Sequence, residues 1–237
     1  HTLIDEVLFH GAKALGVSAD LCERQSIEVD AELFDRKRVP RASAKAQPQL
    51  GSVGGGNHFI ELQVDRDDGS VWVMVHCGSR GFGWQTANHF FYEGAQRLGL
   101  PKRRREESWL DAGSRLGQMY WAHHNAAANY AVANRHLIVH GVREATQQVL
   151  GADVAVFYEI SHNLVQRETL WLPDGSTQTG FVHRKGATRA FPAGHPDLQG
   201  TRWADTGHPV LIPGSMIDGA AILYPQDGAR RSACSVN

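Results

Sequence analysis

The chain has 237 residues, 42% of them hydrophobic, and a formal net charge of −1. That length and apolar fraction support a sizeable core and exclude a disordered chain. The balanced charge excludes a binder that attracts nucleic acid by bulk positive charge, so any basic patch must be local.

Three cysteines, an odd number in a long chain, argue against a disulfide framework and fit a reducing, cytoplasmic setting. No run of eighteen apolar residues and no signal-peptide pattern is present. Leu3, Ile4, Val7, Leu8 and Leu15 lie at helical spacing and predict a helix over 3–15, ended by Gly16. Ile27 and Val29 suggest a short strand. Residues 40–49, with Pro40, Ser43, Lys45 and Pro48, read as a loop.

The next stretch is the most informative. Residues 59–64 alternate in polarity, 71–75 are β-branched and aromatic, and 65–70 between them are turn chemistry. Folded symmetrically, this hairpin pairs Val64 with Val71 and brings His58 opposite Cys77, beside His76. Two imidazoles then meet at its open end, next to Gly54, Gly55 and Gly56. Glycines there let backbone and ligand approach closely. Asn57, Phe59 and Glu61 share one face of the first strand, opposite His58 and Ile60.

Residues 86–98 predict a helix, and the basic run 101–105 reads as a solvated loop or helix start answered by Glu106 and Glu107. The longest helical pattern is 111–150, about 60 Å as one helix. Gly113, Gly117 and Gly141 allow two helices equally well. His136 and His140 share a helical face, but no glutamate follows the first as a zinc-protease pattern requires, so they read as surface residues. Residues 152–160 read as a strand. Residues 169–172 with 177–182, and 210–212 with 220–224, read as two further strand–turn–strand units. The whole reads as α+β, a single domain.

His58, His76 and His162 each sit at a predicted strand end. A lone histidine there is more often structural than a ligand; two on one hairpin make a metal site as good a reading as a structural one, and imidazole alone leaves the metal open. Cys77 reads as structural, because adjacent strand residues point to opposite faces. The three glycines suit a phosphate but are followed by a strand, which excludes a dinucleotide fingerprint. Arg80, Lys185 and Arg189 are candidate phosphate contacts.

Several motifs occur in one order: Gly54-Gly-Gly-Asn-His-Phe-Ile-Glu61, His76-Cys-Gly-Ser-Arg-Gly81, Asn129-Tyr-Ala-Val-Ala-Asn-Arg135, Ser161-His-Asn163, His183-Arg-Lys-Gly-Ala-Thr-Arg189 and Pro213-Gly-Ser-Met216. Together they resemble the RtcB family of GTP- and manganese-dependent RNA-splicing ligases. The resemblance implies joining of an RNA 3′-phosphate or 2′,3′-cyclic phosphate end to a 5′-hydroxyl end, in tRNA splicing or RNA repair. A histidine–GMP intermediate, two manganese ions and GTP are implied with it. By motif position His58, His76 and His162 would be metal ligands. Asn57, His58, Phe59, Ile60, Glu61, His162, Asn163, Pro213, Gly214, Ser215 and Met216 would contact GTP, and Arg80 and Lys185 phosphate or RNA. The family's aspartate- and cysteine-bearing metal motif and its nucleophilic histidine have no counterpart here, and Ala220 stands where many members carry serine. The expectation is therefore the central part of a ligase, truncated at both ends, with the nucleophile just after Asn237. A metal-dependent phosphoesterase and a non-catalytic RNA-binding remnant are the alternative readings.

Overall fold

The structure, a computed structural model, describes residues 2–18, 25–214 and 219–224. Helices and small antiparallel strand pairs alternate along it, as the α+β reading expects. The sequence reads as one domain; the backbone gathers into two compact units, the first ending at Ala155 and the second running on from Val156.

In the first unit, α1 (Leu3–His10) turns its apolar stripe, Ile4, Val7 and Leu8, into the core. It ends sooner than the spacing predicts and continues as a 3₁₀ turn, Gly11–Leu15. The cause is close approach. Gly11 has φ +56°, and a Cβ there would lie 2.7 Å from Gln25 O and 3.0 Å from Asn129 Oδ1. The strand expected at Ile27 and Val29 does not form. Asn129 takes its place as the partner: Ile27 N–H donates to Asn129 Oδ1 (2.7 Å), and Asn129 Nδ2 donates to Ile27 O (2.8 Å). A strand needs neighbouring backbone to pair with, and here a side-chain amide supplies the pairing.

The segment read as a loop is a helix, α2 (Pro40–Gln49). Pro40 stands at its first turn, where its missing N–H costs nothing and its φ is already helical. Ala42 and Ala46, one turn apart and fully buried, let it pack closely. Helix α3 (Arg80–Arg97) begins six residues before the expected start, with Gly81 N–H donating to Gln49 Oε1 at 2.9 Å. The basic run forms an exposed 3₁₀ turn, Lys102–Glu107, with Arg104 paired to Glu107.

Helix α4 (Arg115–Leu150) is one unbroken helix of 36 residues. Ser114 caps its start by accepting from Gly117 N–H at 3.1 Å. Gly117 is needed there because a Cβ would lie 2.0 Å from Asp111 O. Leu116, Ala122, Ala126, Tyr130 and Ala133 join Val7, Leu8, Phe82 and Phe90 in the core.

Strands β1 (Phe59–Val64) and β2 (Val71–His76) pair from Val64↔Val71 to Phe59↔His76, the register expected. One face, with Ile60, Leu62, Val64 and Val71, is aliphatic and exposed. The other carries Phe59, Glu61, Met74 and His76. Residues 152–160, which run from the first unit into the second, form no strand. In the second unit pairing begins at β3 (Asn163–Trp171) with β4 (Thr177–Lys185), longer than expected, and β5 (Val210–Ile212) pairs with β6 (Ala221–Leu223). Arg184 and Glu168 form a buried ion pair, with Arg184 Nη1 2.6 Å from Glu168 Oε1. No helix among the described residues is long and apolar enough to cross a membrane.

The histidine pair on α4 is only half as expected. His140 is exposed and faces Glu144, but His136 is buried at 7% exposure. The buried stretch of α4 ends at Ile138, so the shared face passes from core to solvent between them. Burial, then the neighbouring Arg135 charge, pushes the His136 pKa down to about 4. An unfolded chain takes up this proton near pH 6.5, so between about pH 6.5 and 4 the unfolded state binds more protons and stability falls as pH falls. His136→Gln should flatten that slope, removing on the order of 2–3 kcal/mol of acid sensitivity. Urea midpoints at stepped pH test this, and an unchanged slope would overturn the assignment.

Candidate active site

The mouth of the β1–β2 hairpin brings His58 and His76 together, with ring centroids 5.8 Å apart and planes at 76°. His76 is the last residue of β2, and its ring also meets Phe59 edge-on at 5.3 Å. His58 precedes β1, so strand alternation does not bind it to the opposite face, and its ring turns toward His76. Burial lowers the His76 pKa, helped by the charges of His58 and Arg135 and opposed by a hydrogen bond at the Asn57 backbone. The ring is thus neutral near pH 7.

Helix α4 holds this mouth in place. Asn134 is fully buried. Its Oδ1 accepts from Gly51 N–H (2.7 Å) and Ser52 N–H (3.2 Å). Its Nδ2 lies within donating distance of Ser52 O (3.1 Å), Gly78 O (3.2 Å) and Cys77 Sγ (3.2 Å). Arg135 Nη1 donates to Cys77 O at 3.1 Å. The loop before His58 and the loop after His76 are thereby fastened to one turn of one helix. Neither Asn134 nor Arg135 was named as a site residue from sequence. Their signal was there, in the Asn129-to-Arg135 motif, but a buried polar residue shows its purpose only when its partners are known.

Cys77 is buried, as a structural cysteine should be, with Sγ 3.4 Å from Ser52 O and 3.3 Å from Val53 O. Arg80 runs back from the start of α3 across Gly54 and sets Nη1 2.8 Å from His58 Nδ1. Gly54 and Gly56 both have positive φ, +80° and +78°, and 54–57 are exposed. Glu61 lies on the same strand face as His76, its carboxylate accepting from Gln63 Nε2 at 3.1 Å. Ile60 points to the opposite, exposed face.

The remaining expected residues lie in the second unit. His162 immediately precedes β3, and its carbonyl accepts from Ala187 N–H at 3.2 Å. Asn163 pairs with Lys185 and accepts from Gly186 N–H at 2.8 Å. Lys185 is exposed, whereas Arg189 is buried over the Phe191 ring. Pro213 and Gly214 follow β5. A Cβ on Gly214 would lie 1.3 Å from Gly219 O, so only glycine fits. Ser215 and Met216 lie outside the described residues.

Two imidazoles at one mouth, one kept neutral by burial, fit part of the coordination sphere of a divalent transition ion. Among the described residues no group of three or more histidine, cysteine, aspartate or glutamate side chains gathers to complete it. The Arg80 guanidinium, lying over Gly54, also suits an oxyanion.

If Asn134 is the clamp, Asn134→Ala should speed alkylation of Cys77 in the native protein by roughly tenfold or more, the factor worth about 1.4 kcal/mol. Site-resolved mass spectrometry measures the rate. An unchanged rate at Cys77 would show that the loops hold without the amide.

Residues 3–237 match the family described as tRNA-splicing ligase RtcB. The chain is 42% identical to a tRNA-splicing ligase RtcB of Thermococcus kodakarensis over 97% of its own length and 53% of that protein's. It is 40% identical to that of Pyrococcus furiosus, over 96% of this chain and 26% of that one. Identity is 37% to an RNA-splicing ligase RtcB of Mycobacterium bovis, over 93% of this chain and 55% of that one. The chain thus spans about half the length, or less, of these curated relatives.

Proposed function

The chain belongs to the RtcB family of tRNA-splicing ligases, and from that premise we propose that the protein it forms part of joins RNA ends. The substrates would be a 3′-phosphate or 2′,3′-cyclic phosphate end and a 5′-hydroxyl end. GTP would activate the phosphate end by way of a histidine–GMP intermediate. The observation that carries this reading is the hairpin mouth, where His58 and His76 meet beside a glycine run and an arginine.

Each residue there has a task its chemistry suits. His58 and His76 would hold manganese, with His162 as a further ligand by motif. Manganese, when bound, supplies charge compensation for the oxygens of phosphoryl transfer. Backbone N–H groups of 54–57 and the Arg80 guanidinium would bind phosphate oxygens, the arginine in a planar fork. Lys185, exposed at the end of β4, would act as a point charge on phosphate or RNA. Glu61 would accept from the guanine N1–H and exocyclic amine, with Asn57, Phe59, Asn163 and 213–216 completing the nucleotide site. Ala220 offers no hydroxyl.

The complete protein, given RNA with a 2′,3′-cyclic phosphate and a 5′-hydroxyl, should yield joined product only when GTP and Mn²⁺ are both present. Hydrolysis to the monophosphate without GTP would instead indicate a phosphoesterase, and binding without turnover a remnant.

Base recognition has its own test. An acceptor lost from Glu61 leaves a guanine donor unpaired, at about 1–3 kcal/mol. Glu61→Gln should therefore weaken GTP roughly tenfold and leave ATP nearly unchanged. Equal loss for both nucleotides would show that Glu61 does not read the base.

A further inference from the structure

Arg80 is the one non-glycine residue with positive φ among the described residues, at +53°, a conformation that costs an L side chain and persists only where its surroundings impose it. Its side chain lies so tightly over Gly54 that a Cβ there would sit 1.5 Å from Nη2. Nε is 3.5 Å from Ser52 Oγ, and Nη1 is 2.8 Å from His58 Nδ1. The same Nδ1 is 3.1 Å from Val53 O and 3.9 Å from Cys77 Sγ.

These neighbours ask for opposite forms of a neutral imidazole. A guanidinium only donates, so Arg80 requires a lone pair on Nδ1 and the proton on Nε2. A carbonyl only accepts, so Val53 O requires the proton on Nδ1 and leaves the lone pair on Nε2. The Arg80 contact is the shorter, and Val53 O has a second donor in Cys77 Sγ at 3.3 Å. We propose that Arg80 sets the tautomer of His58: Nε2–H while the guanidinium is docked, Nδ1–H bonded to Val53 O once it leaves. The ring's proton count is unchanged, since solvent takes the Nε2 proton and returns one to Nδ1. The second form presents the Nε2 lone pair to a cation, with its other nitrogen fixed by a backbone carbonyl. An oxyanion that draws Arg80 off the ring would thus ready His58 as a ligand, coupling anion and cation capture. That consequence rests on the reading of His58 as a metal ligand; the tautomer assignment does not.

Two-bond ¹H–¹⁵N spectra of histidine-labelled chain, at about pH 8, above the ordinary imidazole range, report which nitrogen carries the proton. His58 should be Nε2–H in the wild type and Nδ1–H in Arg80→Met. Arg80→Gly, which suits the positive φ, gives the same readout without strain at the start of α3. Nδ1–H in the wild type, or Nε2–H retained in both variants, would overturn the proposal. Zn²⁺ titration followed on the same resonances separates the two readings. A tautomer change with no zinc response at His58 upholds the role of Arg80 and removes His58 as a ligand. Zinc shifts at His58 that are stronger in the variants than in the wild type uphold both.

Discussion

Backbone groups without a helix or strand partner need another, and around this site several find one in the side chains of a single helix. Asn125, Asn129 and Asn134 of α4 reach, in turn, Glu28 O, both polar groups of Ile27, and the loops flanking the hairpin. An asparagine amide carries acceptor and donors in one plane, so it can replace a neighbouring strand. Tyr130, between them, donates to Ala46 O at 2.7 Å and ties in α2. Remove this scaffold and the segment around Ile27 and the two histidine loops lose their partners together. The site therefore depends on one buried helix.

The hairpin divides its labour by face. Alternation puts Ile60, Leu62 and Val64 on one side and Phe59, Glu61 and Gln63 on the other. His58, His76 and Arg80 gather at the open end, where pairing stops and glycines replace side chains. There the chain's near-neutral total charge conceals a local excess of positive charge: Arg80 and Arg135 approach two histidines, one of which burial keeps neutral. A neutral imidazole can ligate a cation and a guanidinium can hold an oxyanion, so the two kinds of group together suit ions of either sign.

The first hairpin was legible in the sequence because its information is local. A period of two, a turn of aspartates and glycine, and equal strand lengths fix the register, and the register fixes which residues face His58. The helical spacing of α1, α3 and α4 was legible for the same reason, though not their ends. Whether Gly113, Gly117 and Gly141 break the long helix was not, since a helix tolerates a glycine wherever packing supports it. Arg115–Leu150 runs through two of them.

What the sequence by itself determined was the family, the hairpin register and the meeting of His58 with His76, all set by short-range pattern and residue type. Tertiary structure alone decided the rest. Ile27 and Val29 look like a strand, and only the arrival of Asn129 from a hundred residues away removes the need for one. Residues 40–49 look like a loop until buried Ala42 and Ala46 give the helix a surface to rest on. Asn134 reads as one member of a motif until its amide is seen to join two loops, and Arg80 reads as a phosphate contact alone until Gly54 is seen to make room for it over His58. Propensity and spacing are properties of neighbours in the chain. Satisfaction of buried polar groups is a property of neighbours in space, and the second is what places this site.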